Sequence, residues 1–269
     1  MAETDRVERF KREIGFERVT ARGEGRGDVV FEWPDLESGA GLRDTAGWRR
    51  VQDFTTSDAP GEAYRVRTLQ NDTGTFTVAI HVSSSGAGTA RERLVELAGR
   101  TMTVDIPYVA GPAGLGDLAV VHRNPLVPDL IWVYANVCIR VDADESHVDP
   151  LAFARDLQAQ MEKHVEPGAS RALQITRLAV EPGRVSEGQE VRVTVQANAP
   201  RPDSVLFKVK DTENLLSKVD ENVNVFRFLA KAPGTARLRA VAIDRRTLLS
   251  ASSSADVEIV PAPEPRTKE

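Results

Sequence analysis

From residue 173 to residue 260, apolar and polar residues alternate along the chain in short runs separated by Pro-Gly or Gly-rich turns. Val191, Val193, Val195 and Ala197 fall on one side of such a run, Glu190, Arg192, Thr194 and Gln196 on the other. The same period of two returns at Val205, Phe207 and Val209, at Leu238, Ala240 and Ala242, and at Val257 and Ile259. Successive side chains of a strand face opposite sides of its sheet. The pattern therefore predicts half-buried antiparallel strands stacked as a small sandwich. Such a unit spaces, presents or binds, and rarely carries chemistry by itself.

Upstream, the period changes from segment to segment. Val7, Phe10, Lys11 and Ile14 share one face of a helix predicted over residues 4–14, with Gly15 as its stop. Residues 28–33, 64–69 and 75–82 alternate as strands, and Asn71-Asp72-Thr73-Gly74 between the last two has hairpin-turn chemistry. Ala90, Leu94 and Leu97 return to helical spacing over residues 89–98, which Gly99 ends. Strands are predicted at 102–106 and 118–122, and the run 130–141 as one long central strand. Ile131, Val133, Ala135, Val137, Ile139 and Val141 would line its apolar face. Leu130, Trp132, Tyr134, Asn136, Cys138 and Arg140 would line the other. Asp149-Pro150 supplies an N-cap and a first-turn proline for a last helix, with Leu151, Ala154, Leu157 and Met161 facing inward.

Strands and helices do not alternate regularly, and no internal repeat is visible. The predicted fold is an α+β N-terminal domain over residues 1–167, an antiparallel sheet with packed helices, followed by an all-β sandwich over 168–261. Glu166-Pro167-Gly168-Ala169-Ser170 marks the boundary. The proline-rich residues 262–269 form an extended or disordered tail.

Two stretches inside the sandwich carry a resemblance. Val185-Ser186-Glu187-Gly188-Gln189-Glu190-Val191 enters a strand as V-x-x-G-x-x-V. Phe226-Arg227-Phe228 leads through Ala232-Pro233-Gly234 to Leu238, and Ala240–Asp244 and Val257-Glu258-Ile259 complete a terminal strand pair. Together, residues 172–261 resemble bacterial immunoglobulin-like domains of cell-surface and secreted proteins. Thr235 departs from that family, which often has an aromatic residue there. No Cys or Trp marks the core as in antibody domains. The resemblance implies spacing, presentation or binding, and no single activity. More weakly, Leu115-Gly116-Asp117, the strand from Asn136 and the helix from Asp149 resemble an α+β module of bacterial envelope lipoproteins and sensor ectodomains. That resemblance assigns no functional residue.

Composition narrows the partners. At 269 residues, 41% hydrophobic and 28% charged, the chain has enough apolar content for packed cores. No run approaches the roughly 18–20 apolar residues of a membrane span. The charged opening, Met1 to Arg12, has no apolar core of a signal peptide. The expected location is cytoplasmic, or extracytoplasmic if Met1 replaces a removed signal. A net charge of −5 with no dense basic cluster argues against nucleic acid. The single cysteine, Cys138, allows no intrachain disulfide and sits in an apolar run, as a packed thiol does.

Candidate chemistry is sparse. Gly23-x-Gly25-x-Gly27 and Gly111-x-x-Gly114-x-Gly116 lead into strands rather than helices and lack phosphate-loop order. Arg26-Gly27-Asp28 spells an adhesion tripeptide with no further support. Asp142, Asp144, Ser146 and Asp149 approach the spacing of a calcium loop. His147 stands where glycine is required, and Phe153 where a carboxylate is. The four histidines have no zinc spacing. Ser83–Ser85, His122 and Asp117 could be drawn as a triad, but without a G-x-S-x-G elbow. Asp105 and Asp117 lie near glycine-rich turns, where acid–base residues can sit. No catalytic residue, metal or cofactor is expected.

Trp48, beside Arg49 and Arg50 in a predicted loop, is a candidate anchor for a ligand or partner, and Trp132 and Tyr134 a second aromatic face. The expected function is a non-catalytic binding or scaffold protein contacting a protein or glycan. One alternative is an enzyme with its site in the N-terminal cleft near residues 111–117 and the Trp132/Tyr134 face. The other is a protomer of a larger assembly joined through sandwich edge strands. The sequence leaves the oligomeric state open.

Overall fold

The computed structural model describes residues 3–23, 27–33, 48–57, 59, 61–72, 74–100, 105–144, 149–166, 173–199 and 201–262. Chain contacts divide into two units, Met1–Ser170 with Arg246–Leu249, and Arg171–Arg245 with Ser250–Glu269. The protein is β-rich, with several sheets. No described helix is long and apolar enough to cross a membrane.

The first unit contains α1 (Glu3–Glu13), α2 (Phe16–Gly23), β1 (Asp28–Val29), β2 (Arg49–Thr56), β3 (Glu62–Asn71) and β4 (Gly74–Ser83). These are followed by α3 (Ala87–Gly99), β5 (Tyr108–Ala110), β6 (Leu118–His122), β7 (Asp129–Tyr134), β8 (Val137–Ala143), α4 (Pro150–Met161) and β9 (Val165–Glu166). Seven strands form one antiparallel sheet in the order β2-β3-β4-β8-β7-β6-β5, while β1 pairs with β9. Ala90, Leu94 and Ala98 of α3 bury one face of the sheet at Ile131, Val133 and Cys138. Phe10, Ile14 and Phe16 complete this core. The opposite face carries Phe76, whose ring meets Phe153 of α4 edge-on at 5.2 Å. Asp149 caps α4 as expected, its carboxylate accepting the N–H groups of Leu151 and Ala152 at 2.9 and 3.1 Å.

The run 130–141 is not one strand. β7 and β8 form a hairpin closed by Ala135 and Asn136, with Tyr134 opposite Val137 and Ile131 opposite Arg140. Neither Gly nor Pro marks this turn, although Ala135 adopts φ 51. Surrounding groups hold it instead. Asp117 accepts the Ala135 N–H at 2.8 Å, and the Asn136 side chain accepts the Val29 N–H at 2.7 Å. The Asn136 carbonyl accepts the Ser83 N–H at 2.9 Å. Paired residues share a face, so the turn re-phases the alternation. Ile131 and Val133 lie with Cys138 and Arg140, while Leu130, Trp132 and Tyr134 lie with Val137, Ile139 and Val141.

Other differences are local. Of 28–33 only Asp28–Val29 is strand, whereas α2 and β2 arise without a strong periodic signal. β2 is an edge strand of mostly charged and polar residues, with a bulge between Arg50 and Gln52. The predicted strand 102–106 falls partly outside the described residues, as do the boundary 167–170, Thr73 of the 71–74 turn, Gly25 and Arg26 of the glycine and adhesion motifs, and the tail 263–269.

Gly116 is required where it stands. Gly116 has φ 63, and a Cβ there would lie 2.2 Å from the Val133 carbonyl oxygen; Gly114 has φ 83 but open space around it. Gly116→Ala is expected to cost about 2 kcal/mol, combining left-handed strain with overpacking, and Gly114→Ala about 1 kcal/mol from strain alone. Urea denaturation of the two variants side by side checks this, and equal losses would refute the close-approach explanation.

The second unit contains β10 (Gln174–Glu181), β11 (Arg184–Ser186), β12 (Glu190–Asn198), β13 (Val205–Asp211), β14 (Leu216–Asn222), β15 (Val225–Ala230), β16 (Gly234–Asp244) and β17 (Ser250–Val260). Two four-stranded sheets, β10-β12-β15-β14 and β11-β17-β16-β13, enclose one core. Pairing is antiparallel except for β11, which runs parallel to β17. Val191, Val193, Val195, Phe226 and Phe228 face inward from one sheet, Leu238, Ala240, Val257 and Ile259 from the other. The unit is a β-sandwich, interrupted where Arg246–Leu249 belongs to the first unit. There the Arg246 and Thr247 carbonyls accept the main-chain and indole N–H of Trp33.

Candidate functional site

The structure separates the residues that the sequence grouped as partner-binding. Trp48 precedes β2, half-buried, with its ring edge-on to Phe76 at 6.5 Å. Arg49 and Arg50 open β2 and are exposed. Arg50 reaches Asp53 at 3.2 Å, and the same carboxylate accepts from Arg65 at 2.7 and 2.6 Å and from Arg67 at 3.2 Å. Burial pushes the Asp53 carboxyl up, but the hydrogen bonds and charges of Arg65 and Arg67 outweigh it and hold the group below the usual carboxylate range. Trp132 and Tyr134 lie on β7, with β3, β4 and β8 between them and β2. Trp132 is 0% exposed and Tyr134 7%. The expectation that they form a binding face is corrected: both side chains are core of the sheet.

The groups suggested for catalysis are engaged separately. Asp117 braces the β7–β8 turn. Asp105 pairs with Arg9. The Ser83 hydroxyl accepts the Ser85 N–H at 3.1 Å, and His122 Nδ1 accepts the Asn124 N–H at 3.2 Å. His81 stacks on Tyr64 at 5.1 Å, and burial, then the charges of Arg93 and Arg100, bring its pKa down to about 3. Burial pushes the Cys138 thiol up, away from thiolate. Asp144 accepts the Thr75 hydroxyl, and Asp149 serves its helix. Ser146 and His147 lie outside the described residues. Among the described residues no three metal-ligating side chains gather.

Sequence reasoning missed a polar cluster on the sheet. The Tyr108 hydroxyl donates to Asp129, which also accepts from Arg140 at 3.2 and 2.7 Å. Asp142 lies 3.7 Å from Arg140. Burial and then Asp129 push the Tyr108 hydroxyl up; burial and Asp129 likewise push up the Asp142 carboxyl. Every member points at another, so the cluster braces β5, β7 and β8.

An open polar surface lies on the outer face of β10-β12-β15-β14. Glu181 is opposite Arg192, Arg192 opposite Arg227, and Arg227 opposite Asp220, giving one row across all four strands. A β-bulge positions the last member. The register shifts between Lys218 and Asp220, inserting Val219. In an unbulged strand Val219 would oppose Arg227, and Asp220 would turn toward the core beside Phe226. Glu190 accepts two N–H groups of Arg227 at 3.1 and 2.5 Å. These residues, with Asn222 and Val225, line a groove of about 480 Å³, within the range of ligand pockets. The sequence displayed Arg192 as outward-facing; its neighbours depended on register.

No protein-family model matches this chain. No curated protein matches it either. Among solved structures, a gamma-CGTase from alkalophilic Bacillus clarkii aligns with 82% of this chain at 8% identity and a TM-score of 0.21. A polysaccharide lyase aligns with 77% at 7% identity and a TM-score of 0.20. The chain spans 27% and 35% of the lengths of those two proteins. Likenesses of this size constrain neither fold nor chemistry.

Proposed function

We propose that this is a non-catalytic binding protein that takes a protein or glycan partner on the outer sheet of its sandwich. The observation that carries the reading is the Glu181–Arg192–Arg227–Asp220 row. Two arginines directly opposite one another repel, and such pairs are unfavourable in a sheet. Their juxtaposition adds nothing to folding, whereas a bound group with suitable acceptors would relieve it. Local rules of stability are characteristically broken at functional sites.

The sandwich itself is proposed to be immunoglobulin-like. Labelling β10 and β12–β17 as strands A to G in chain order gives an A-B-E-D sheet facing a C-F-G sheet. This is the order of constant-type immunoglobulin domains, with β11 as an added strand along G. The first unit is proposed to be an α+β domain, on the support of its seven-stranded antiparallel sheet with α3 and α4 on opposite faces. The arginine-rich start of β2, with Trp48, is the second contact surface in this reading.

Titration calorimetry of the full chain against neutral, carboxylated and sulfated oligosaccharides tests the proposal. At least one ligand is expected to bind and to weaken about tenfold or more in Arg192→Ala/Arg227→Ala, a loss of about 1.4 kcal/mol or more. Arg49→Ala/Arg50→Ala reports on the other surface. Cleavage of a bound oligosaccharide would overturn the non-catalytic reading, and wild-type affinity in the Arg192/Arg227 variant would remove the groove.

A further inference from the structure

Resting on that reading of the groove, we infer that its ligand is a sugar acid: a glycan segment bearing one carboxylate on a ring that otherwise offers hydroxyl groups. The centre of the row is cationic and the rim is not. Arg227 shares its charge with Glu190, whereas Arg192 makes no ion pair among the described residues. A carboxylate seated between the two guanidiniums would relieve their mutual repulsion and match the planar fork of Arg192 bidentately, while Arg227 gives Nε and Nη2 to Glu190. Glu181 and Asp220 close the two ends of the row, and Glu190 stands beside it. Carboxylates accept hydrogen bonds, so they suit hydroxyl donors and repel a second anion close to the first. Thr194 and Asn222 in the adjoining outward row add neutral polar groups.

One negative centre flanked by hydroxyls satisfies all these positions. A neutral oligosaccharide leaves Arg192 without a carboxylate partner, whereas Arg227 keeps Glu190. An acidic peptide or a densely sulfated chain brings further anions against three carboxylates. The sandwich row thus discriminates by charge spacing, through attraction at its middle and repulsion at its ends.

The test is calorimetry of the full chain with oligogalacturonate and oligoglucuronate, their methyl esters, a neutral oligosaccharide of equal length, and polyglutamate. At least one free acid is expected to bind at least tenfold tighter than its ester, and the preference to vanish in Arg192→Ala/Arg227→Ala. Both arginines are on the outer face, and circular dichroism of the variant verifies its fold. Glu181→Gln/Asp220→Asn keeps a hydroxyl acceptor at each end while removing the repelling charge, and is expected to leave the sugar acid bound at least as tightly while improving polyglutamate. Equal affinity for acid and ester, or tighter binding of polyglutamate, overturns the inference. If the neutral oligosaccharide binds in an Arg192/Arg227-dependent way with no gain for the acid, the binding reading stands and the sugar-acid inference falls. If no ligand binds, both fall.

Discussion

Trp132→Ala is expected to lower the free energy of unfolding by about 4 kcal/mol, in the range found for large aromatic core truncations. The indole is fully buried on β7, opposite Ile139 of β8 and Ala119 of β6, and its edge packs against the Gly116 turn. Alanine would leave a cavity in the centre of the sheet, where neighbours fixed by strand pairing cannot collapse inward. Trp132→Phe should cost much less, under about 1.5 kcal/mol. The indole N–H has no hydrogen-bond partner among the described residues, and phenylalanine removes that donor along with some volume. Urea denaturation with unchanged slope measures both. A loss below 1 kcal/mol for Trp132→Ala would contradict a core role and restore the residue as a surface candidate.

Asp129→Ala is expected to cost about 3 kcal/mol, the lower end of what breaking a buried charge pair costs. Its carboxylate is 6% exposed as a residue and accepts both the Tyr108 hydroxyl and two N–H groups of Arg140. Without it the Tyr108 hydroxyl is buried and unpaired. Arg140 keeps Asp142 nearby at 3.7 Å and is partly exposed, which limits its loss. Asp129→Asn retains an acceptor and should cost about half as much; Tyr108→Phe should cost about 1 kcal/mol. The ordering of the three variants by denaturant midpoint is the check. If Tyr108→Phe costs as much as Asp129→Ala, the brace does not centre on the aspartate.

These two sites show where sequence reading stopped. Trp132 is legible in the sequence as a strand residue, but its face is not, because residues 130–141 contain no Gly or Pro to announce a turn. The turn is held by Asp117, Ser83 and Val29, all distant in sequence. Asp129 and Arg140 became neighbours only through the resulting hairpin register. Trp48, Arg49 and Arg50 are neighbours in the sequence, yet the strand that Arg49 begins carries no signal there because an edge strand needs little apolar periodicity.

The groove follows the same division. Its arginines were visible as polar members of alternating strands. Their meeting across β12 and β15, and the placing of Asp220 by a bulge, depended on pairing.

What the sequence determined by itself was local: the period-two strands of the sandwich, the α1 and α3 faces, and the Asp149-Pro150 start of α4. These follow from the geometry of a single strand or helix, which neighbouring residues alone satisfy. The tertiary structure decided the hairpin at Ala135–Asn136, the burial of Trp132 and Tyr134, and the Glu181–Arg192–Arg227–Asp220 row. Each requires the register between segments separated by other strands, and that register is set by packing and hydrogen bonds of the whole sheet.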